Sequence, residues 1–254
     1  MNYTKAESLQ SIEQTMRTLK LGGLAKEWRS VVYQNNEQYL RDLLDIEVRE
    51  REANRMARMI KQAGFRVIKT LDNFIWKPAI EIPASITRED IETAAFVKAK
   101  ENLILMGAVG TGKTHLATAI ALNLCEKGRH VRFYTATGLA NILQEKQQRG
   151  VLTGFMTSLR KVELLVLDEI GFITLHKEAS ELLFQIVSDC YEQKSLIITS
   201  NLEFSQWNSV FGNDKLTAAM IDRLIHHSHI LVFSGPGHRL EESMLRQRRG
   251  GAGQ

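Results

Sequence analysis

The stretch "GAVGTGKT", Gly107 to Thr114, fits G-x-x-x-x-G-K-[ST] at every fixed position. It follows the apolar run "NLILM" (102–106), which reads as a buried strand, and it opens "THLATAIALNLCEKG", which reads as a helix. No other part of the chain constrains the fold as strongly. A glycine-rich strand-to-helix turn lets successive backbone N–H groups curl around an anion at the positive end of a helix dipole. Gly107, Ala108, Val109, Gly110, Thr111, Gly112, Lys113 and Thr114, with His115 beside them, are therefore the candidate phosphate cradle for ATP. Lys113 can reach the β and γ phosphates, and the Thr114 hydroxyl can ligate Mg²⁺.

Further strand candidates are "VRFYT" (131–135), "ELLVLD" (163–168), "SLIITS" (195–200) and "HILVFS" (229–234). Helical patterns lie between them from about residue 84, so the expected fold is α/β, a mostly parallel sheet wrapped by helices. Asp168 closes the "LLVLD" run, where it can hold the Mg²⁺ shell, and Glu169 next to it can polarise an attacking water as general base. Between Thr114 and Asp168 the chain has room for one strand and its helices, which fits a sheet with another strand between the loop strand and the acidic one. Asn201, after "IITS", can orient the same water from a neighbouring strand tip; taken alone it reads as a cap or turn residue.

The N-terminal part reads as helices. Leu9, Ile12, Met16 and Leu19 share one face, and Gly22-Gly23 breaks the pattern. Leu24, Trp28, Val31 and Val32 continue on a second helix, and a long third one runs from about 37 to 62 with apolar Leu40, Leu43, Leu44 and Val48. Residues 1–69 hold 13 Lys/Arg against 9 Asp/Glu, while residues 70–254 hold 20 of each. A basic appendage on a neutral remainder points to a polyanion as its partner. Arg51, Arg55, Arg58 and Lys61 are the candidate DNA contacts, the last three because no acid after Glu52 answers them. The expected division is a helical DNA-binding domain over 1–66, a linker over 67–84 anchored by aromatics, and a core over 85–254. Cys125 and Cys190 sit in apolar helical patterns without metal-type spacing and read as reduced core thiols. No apolar run approaches the ~20 residues a membrane span needs, so no membrane association and a cytoplasmic location are expected. The tail "RQRRGGAGQ" reads as disordered.

"MIDRLIHHSHILVF", Met220 to Phe233, packs three histidines and one arginine into an apolar context. Spacing of i, i+1, i+3 across a helix end does not converge the rings of His226, His227 and His229. No cysteine or acidic partner supplies a fourth ligand nearby, which speaks against zinc. Arg223 stands between apolar neighbours, and Asp222 cannot face it on a helix.

The order of P-loop, Asp-Glu pair, Asn201 and an arginine-bearing helix resembles the AAA+ group of P-loop ATPases. More narrowly, "VLDEIGF", "IITSN", "IDRLIHHSHIL" and "LKLGGLAKEW" resemble the IstB/DnaC branch, which comprises helpers of insertion-sequence transposition and the helicase loaders DnaC and DnaI. The resemblance covers nearly the whole chain and favours the IstB-like helper. It implies an AAA+ type sheet with a small helical domain, hydrolysis of ATP to ADP and phosphate with Mg²⁺, and stimulation by DNA. It also implies Asn201 as sensor 1 and Arg223 as an arginine finger offered to an adjacent subunit, hence a head-to-tail homo-oligomer. The expected partners are double-stranded DNA and a cognate transposase, with target selection as the task. The alternative is a DnaC/DnaI-like loader, whose N-terminal segment would bind a helicase protein. Where family members commonly carry Ser-Tyr-Arg after the last strand, this chain has Gly237-His238-Arg239, so Arg239 is a sensor-2-like candidate. The segment after that strand, 235–254, is too short for the helical lid of AAA+ proteins at large but in keeping with the IstB/DnaC branch. A small-molecule kinase shares the P-loop but needs an arginine-rich lid, for which the chain has no candidate.

Overall fold

A computed structural model of the chain describes residues 5–235 and 237. The chain divides into two compact units, Met1–Arg58 and Met59–Gln254. The first holds α1 (Lys5–Thr18), α2 (Gly22–Glu27) and most of α3 (Asn36–Ala63). The second expected helix is shorter than its apolar spacing suggests. It begins at the two glycines and ends at Glu27; Trp28–Ser30 forms a 3-10 turn and Val31 is extended, in keeping with the stiffness of the Val31-Val32 pair.

One buried acid organises this unit. Glu47, on α3, accepts the N–H groups of Gly23 (3.0 Å) and Leu24 (3.3 Å) through Oε2, so a side chain of one helix caps the first turn of another. Its Oε1 accepts from Arg51 Nε at 2.7 Å, and Arg51 Nη2 donates to Lys20 O at 3.2 Å, just beyond the end of α1. Leu24 and Ile46 are buried here, whereas Leu40, Leu44 and Val48 of the apolar stripe on α3 are exposed.

The second unit continues with β1 (Ile80–Glu81), α4 (Arg88–Thr93), β2 (Asn102–Gly107), α5 (Lys113–Glu126), β3 (Val131–Thr135), α6 (Ala136–Gln148) and α7 (Leu152–Arg160). It ends with β4 (Leu164–Ile170), α8 (Lys177–Cys190), β5 (Ser195–Ser200), α9 (Asn208–Phe211), α10 (Asp214–His226) and β6 (Ser228–Phe233). The strands form one sheet in the order β1-β6-β2-β5-β4-β3, parallel throughout except for β1. Thus a strand does lie between the loop strand β2 and the acidic strand β4, but it is β5, which follows both in sequence, while β3, which intervenes in sequence, takes the edge.

Both faces of the sheet are covered, which is why its central strands β2, β4 and β5 read as apolar runs. Leu103, Leu105, Ile197 and Leu231 point into a core with Leu116, Ile120 and Leu124 of α5. Their neighbours Ile104, Met106, Leu165 and Ile198 point the other way, onto residues of α6, α8 and α10 such as Leu139, Leu183 and Leu224. Asn102 is polar and buried, yet satisfied: its N–H reaches His227 O (2.7 Å), its Nδ2 Leu224 O (3.3 Å), and its Oδ1 accepts Leu196 N–H (2.9 Å). Cys125 and Cys190 are buried free thiols, pushed up by desolvation to about 11 and about 12.

The stretch expected as linker contributes a strand. Ile80 and Glu81 pair antiparallel with Phe233 and Val232 at the edge of the sheet. Pro78 and Pro83 bracket this pair of residues and keep it short, a use of proline that only an edge tolerates. Among the described residues no helix is long and apolar enough to cross a membrane.

Candidate active site

The phosphate loop is fixed at both ends by backbone geometry. Gly107 ends β2 at φ +139°, and a Cβ placed there would lie 2.1 Å from Phe233 O, so only glycine lets β2 end beside β6. Gly112, at φ +107°, turns the chain into α5. Between them Thr111 Oγ1 donates to Ala108 O at 2.8 Å. Lys113 is buried, with Nζ donating to Gly107 O (2.6 Å) and Ala108 O (2.7 Å), while Val109 is exposed at the crest of the loop. Gly237 packs so tightly on the loop that a Cβ there would lie 2.5 Å from Val109 O.

Thr114, in the first turn of α5, meets the tip of β4. Its Oγ1 donates to Asp168 Oδ1 at 2.9 Å, and the same oxygen accepts from Thr199 Oγ1 on β5 at 2.6 Å. Thr199 in turn accepts the N–H of Glu169 at 2.9 Å. The register between β4 and β5 slips by one residue here: Leu167 pairs with Ile198, but Ile170 pairs with Ser200. Glu169 sits in that bulge at φ +63°, a left-handed conformation that costs a side-chain-bearing residue about 1–2 kcal/mol. The bulge has a chemical consequence. Successive strand residues ordinarily face opposite sides, yet Asp168 and Glu169 both line one cavity.

That cavity has a volume of about 940 Å³, within the range of small-molecule sites. Gly110, Gly112, Lys113, Thr114 and His115 line it from the loop side. Its other wall is residues 66–70 and 73–75, with apolar Val67, Ile68 and Ile75. His115 Nε2 lies 3.1 Å from Thr70 O, and Phe74 packs edge-on against both His115 (5.3 Å) and Trp76 (5.0 Å). From sequence alone the segment 67–84 reads as a linker and not as part of a site. Its cluster of aromatics marks it as ordered, but nothing local tells that it folds back on a loop much further along the chain.

A family model described as IstB-like ATP binding protein matches residues 14–246. The chain belongs to this family. It is 34% identical over 212 residues to the insertion-sequence IS5376 ATP-binding protein of Geobacillus stearothermophilus, covering 84% of each chain. It is 33% identical over 240 residues to the IS21 counterpart from Pseudomonas aeruginosa, covering 92% of this chain and 90% of the relative. Among solved structures it resembles the DnaC helicase loader, with a TM-score of 0.51 and 25% identity over 65% of this chain and 96% of that one. AMPPCP-bound DnaA from Aquifex aeolicus shares the AAA+ fold, with a TM-score of 0.54 and 24% identity over 65% of this chain and 49% of that one.

Other candidate residues of this IstB-like chain lie off the cavity. Asn201 directly follows β5, and its Oδ1 is buried against Gly171 without a hydrogen-bond partner among the described residues. Arg223, half-buried in the last turn of α10, places its Cζ 4.8 Å over the Phe184 ring and donates to Ala219 O at 3.2 Å. It does not line the cavity of its own chain. On α3, Arg51, Arg55 and Arg58 recur at i, i+4, i+7, and they and Lys61 are all exposed. Arg51 is already committed to Glu47 and Lys20 O. Arg239 lies outside the described residues.

Proposed function

We propose that this chain is a Mg²⁺-dependent AAA+ ATPase that assembles on duplex DNA and helps an insertion sequence select its target by stimulating a cognate transposase. The observation that carries the ATPase reading is the convergence of Lys113, Thr114, Asp168 and Glu169 on one cavity. Phosphates of ATP lie on the loop N–H groups and Lys113, and the base lies against Val67, Ile68 and Ile75. Thr114 and Asp168 offer the hard oxygen donors that suit Mg²⁺. When bound, the ion supplies neutralisation of charge on the β and γ phosphates.

Glu169 takes a proton from the water whose oxygen attacks the γ phosphorus, as the bond to the β–γ bridging oxygen breaks. Asn201 orients that water, Arg223 is offered to the γ phosphate held by an adjacent copy, and Arg239 is a sensor-2-like contact. Arg55, Arg58 and Lys61, with what remains free of Arg51, meet DNA phosphates without reading sequence. The insertion-sequence relatives, which match along most of their length, support the transposition role. The likeness to DnaC favours a second reading, a helicase loader.

Measuring ATP turnover with and without duplex DNA, while following oligomer size, tests the proposal. Wild type is expected to turn over faster on duplex DNA and to enlarge with ATP. Glu169→Gln is expected to keep ATP and the large form without turnover. Equal loss of ATP binding in that variant would assign Glu169 a structural role. Indifference to DNA, with binding to a helicase protein instead, would favour the loader.

A further inference from the structure

Away from the nucleotide cavity, two turns bring imidazoles and a carboxylate together. Tyr191 and Glu192 follow α8, while His226 ends α10 and His227 caps it. His227 Nε2 lies 3.3 Å from Glu192 Oε1, and the rings of His226 and His227 stand 4.3 Å apart, nearly perpendicular. One donor atom from each of Glu192, His226 and His227 falls within 4.8 Å of the other two, and all three residues are exposed. The spacing argument against zinc holds for His229, which turns away to Ser85 Oγ (2.8 Å) and Glu101 Oε2 (2.9 Å). It fails for the acid, because Glu192 arrives from the turn after α8, well upstream of His226 in sequence.

We propose that Glu192, His226 and His227 form a binding site for a transition-metal ion of the Zn²⁺ class. Two nitrogens and one carboxylate oxygen are the donors that such ions take in preference to Mg²⁺ or Ca²⁺. Donors bonded to zinc at about 2.0–2.1 Å stand roughly 3.3 Å apart in a tetrahedron. The present spread therefore closes by about 1.5 Å or less, within reach of side-chain torsions at an exposed site.

The frame is firm where it matters. The His227 carbonyl accepts Asn102 N–H at 2.7 Å, and the N–H groups of Gln193 and Lys194 both reach Cys190 O at 3.0 Å. His226 Nδ1 lies 2.9 Å from Tyr191 OH, the kind of outer partner that orients a ligating imidazole and leaves Nε2 for the metal. Three protein donors leave a fourth position open to water. Binding would fasten the C-terminal end of α10 to the turn after α8, one helical turn beyond Arg223.

The test is a calorimetric titration of the chelator-stripped full chain with ZnCl₂, in Mg²⁺ sufficient to occupy Thr114 and Asp168. One saturable Zn²⁺ per chain is expected. His226→Asn, His227→Asn and Glu192→Gln are each expected to weaken it at least about tenfold. His176→Asn, an exposed histidine elsewhere, leaves it unchanged, and circular dichroism checks that each variant folds. Absence of saturable binding to wild type overturns the proposal, as does binding that survives in the double histidine variant. An unchanged affinity in Glu192→Gln overturns the three-donor site.

Discussion

Thr199 connects the two acids of the site, and no sequence pattern singles it out. Its hydroxyl donates to Asp168 Oδ1 and accepts the N–H of Glu169, so one oxygen holds both the Asp168 carboxylate and the backbone of the bulge. A hydrogen bond of this kind contributes about 0.5–1.5 kcal/mol, comparable to the cost of placing Glu169 in a left-handed conformation. Thr199→Val keeps the shape and removes both bonds, leaving a strained N–H without its partner. Turnover is then expected to fall about 10- to 100-fold while nucleotide affinity changes little, because the loop and Lys113 are untouched. Thr199→Ser keeps the hydroxyl and is expected to restore most of the rate. Steady-state ATPase assays beside nucleotide titrations read the difference. Loss of rate in the serine variant with full rate in the valine variant would mean that packing of the methyl group matters and positioning does not.

At the scale of elements, five of the six strands among the described residues are legible in sequence: β2, β4 and β5 are apolar runs buried on both faces, and β3 and β6 bury every second residue. The sixth is not, since Ile80–Glu81 is a single short pair whose partners, Val232 and Phe233, lie near the other end of the unit. The bulge at Glu169 is equally hidden, because glutamate carries no preference for positive φ. For the same reason of distance the P-loop is legible but the cavity wall at residues 66–75 is not. The helical unit holds a further long-range device in Glu47. Its desolvation alone would raise its pKa, but the hydrogen bond from Arg51, the N–H groups of Leu24 and Gly23, and the charge of Arg51 together hold it below the usual carboxylate range. A depressed folded value means the stabilisation is present in full above the ordinary glutamate range and is lost as pH falls through that lower value. Glu47→Gln is therefore expected to cost about 1–2 kcal/mol at neutral pH. The gap from wild type should shrink toward zero in acid. Denaturant unfolding followed by circular dichroism across a pH series checks both, and a gap independent of pH would remove the charge from the account.

At the scale of the whole molecule, the proposed role of Arg223 makes activity a property of contacts between copies. The arginine is held over Phe184 and lines no part of its own chain's cavity, so a catalytic part for it requires a neighbour's phosphate. Such a contact is head-to-tail, each copy giving its cavity to one neighbour and its arginine to the other. Two dead variants then complement each other. Arg223→Ala keeps a complete cavity and lacks the arginine, whereas Glu169→Gln keeps the arginine, binds ATP and lacks the base. Each alone is expected to show turnover near background. In an equal mixture, about one quarter of the interfaces in a randomly ordered head-to-tail array pair an intact cavity with an intact arginine. The mixture is therefore expected to recover up to about a quarter of wild-type turnover, rising with total protein concentration as interfaces form. A mixture no more active than its two components would place Arg223 in its own chain's structure, where its stacking on Phe184 and its bond to Ala219 O would be its whole role.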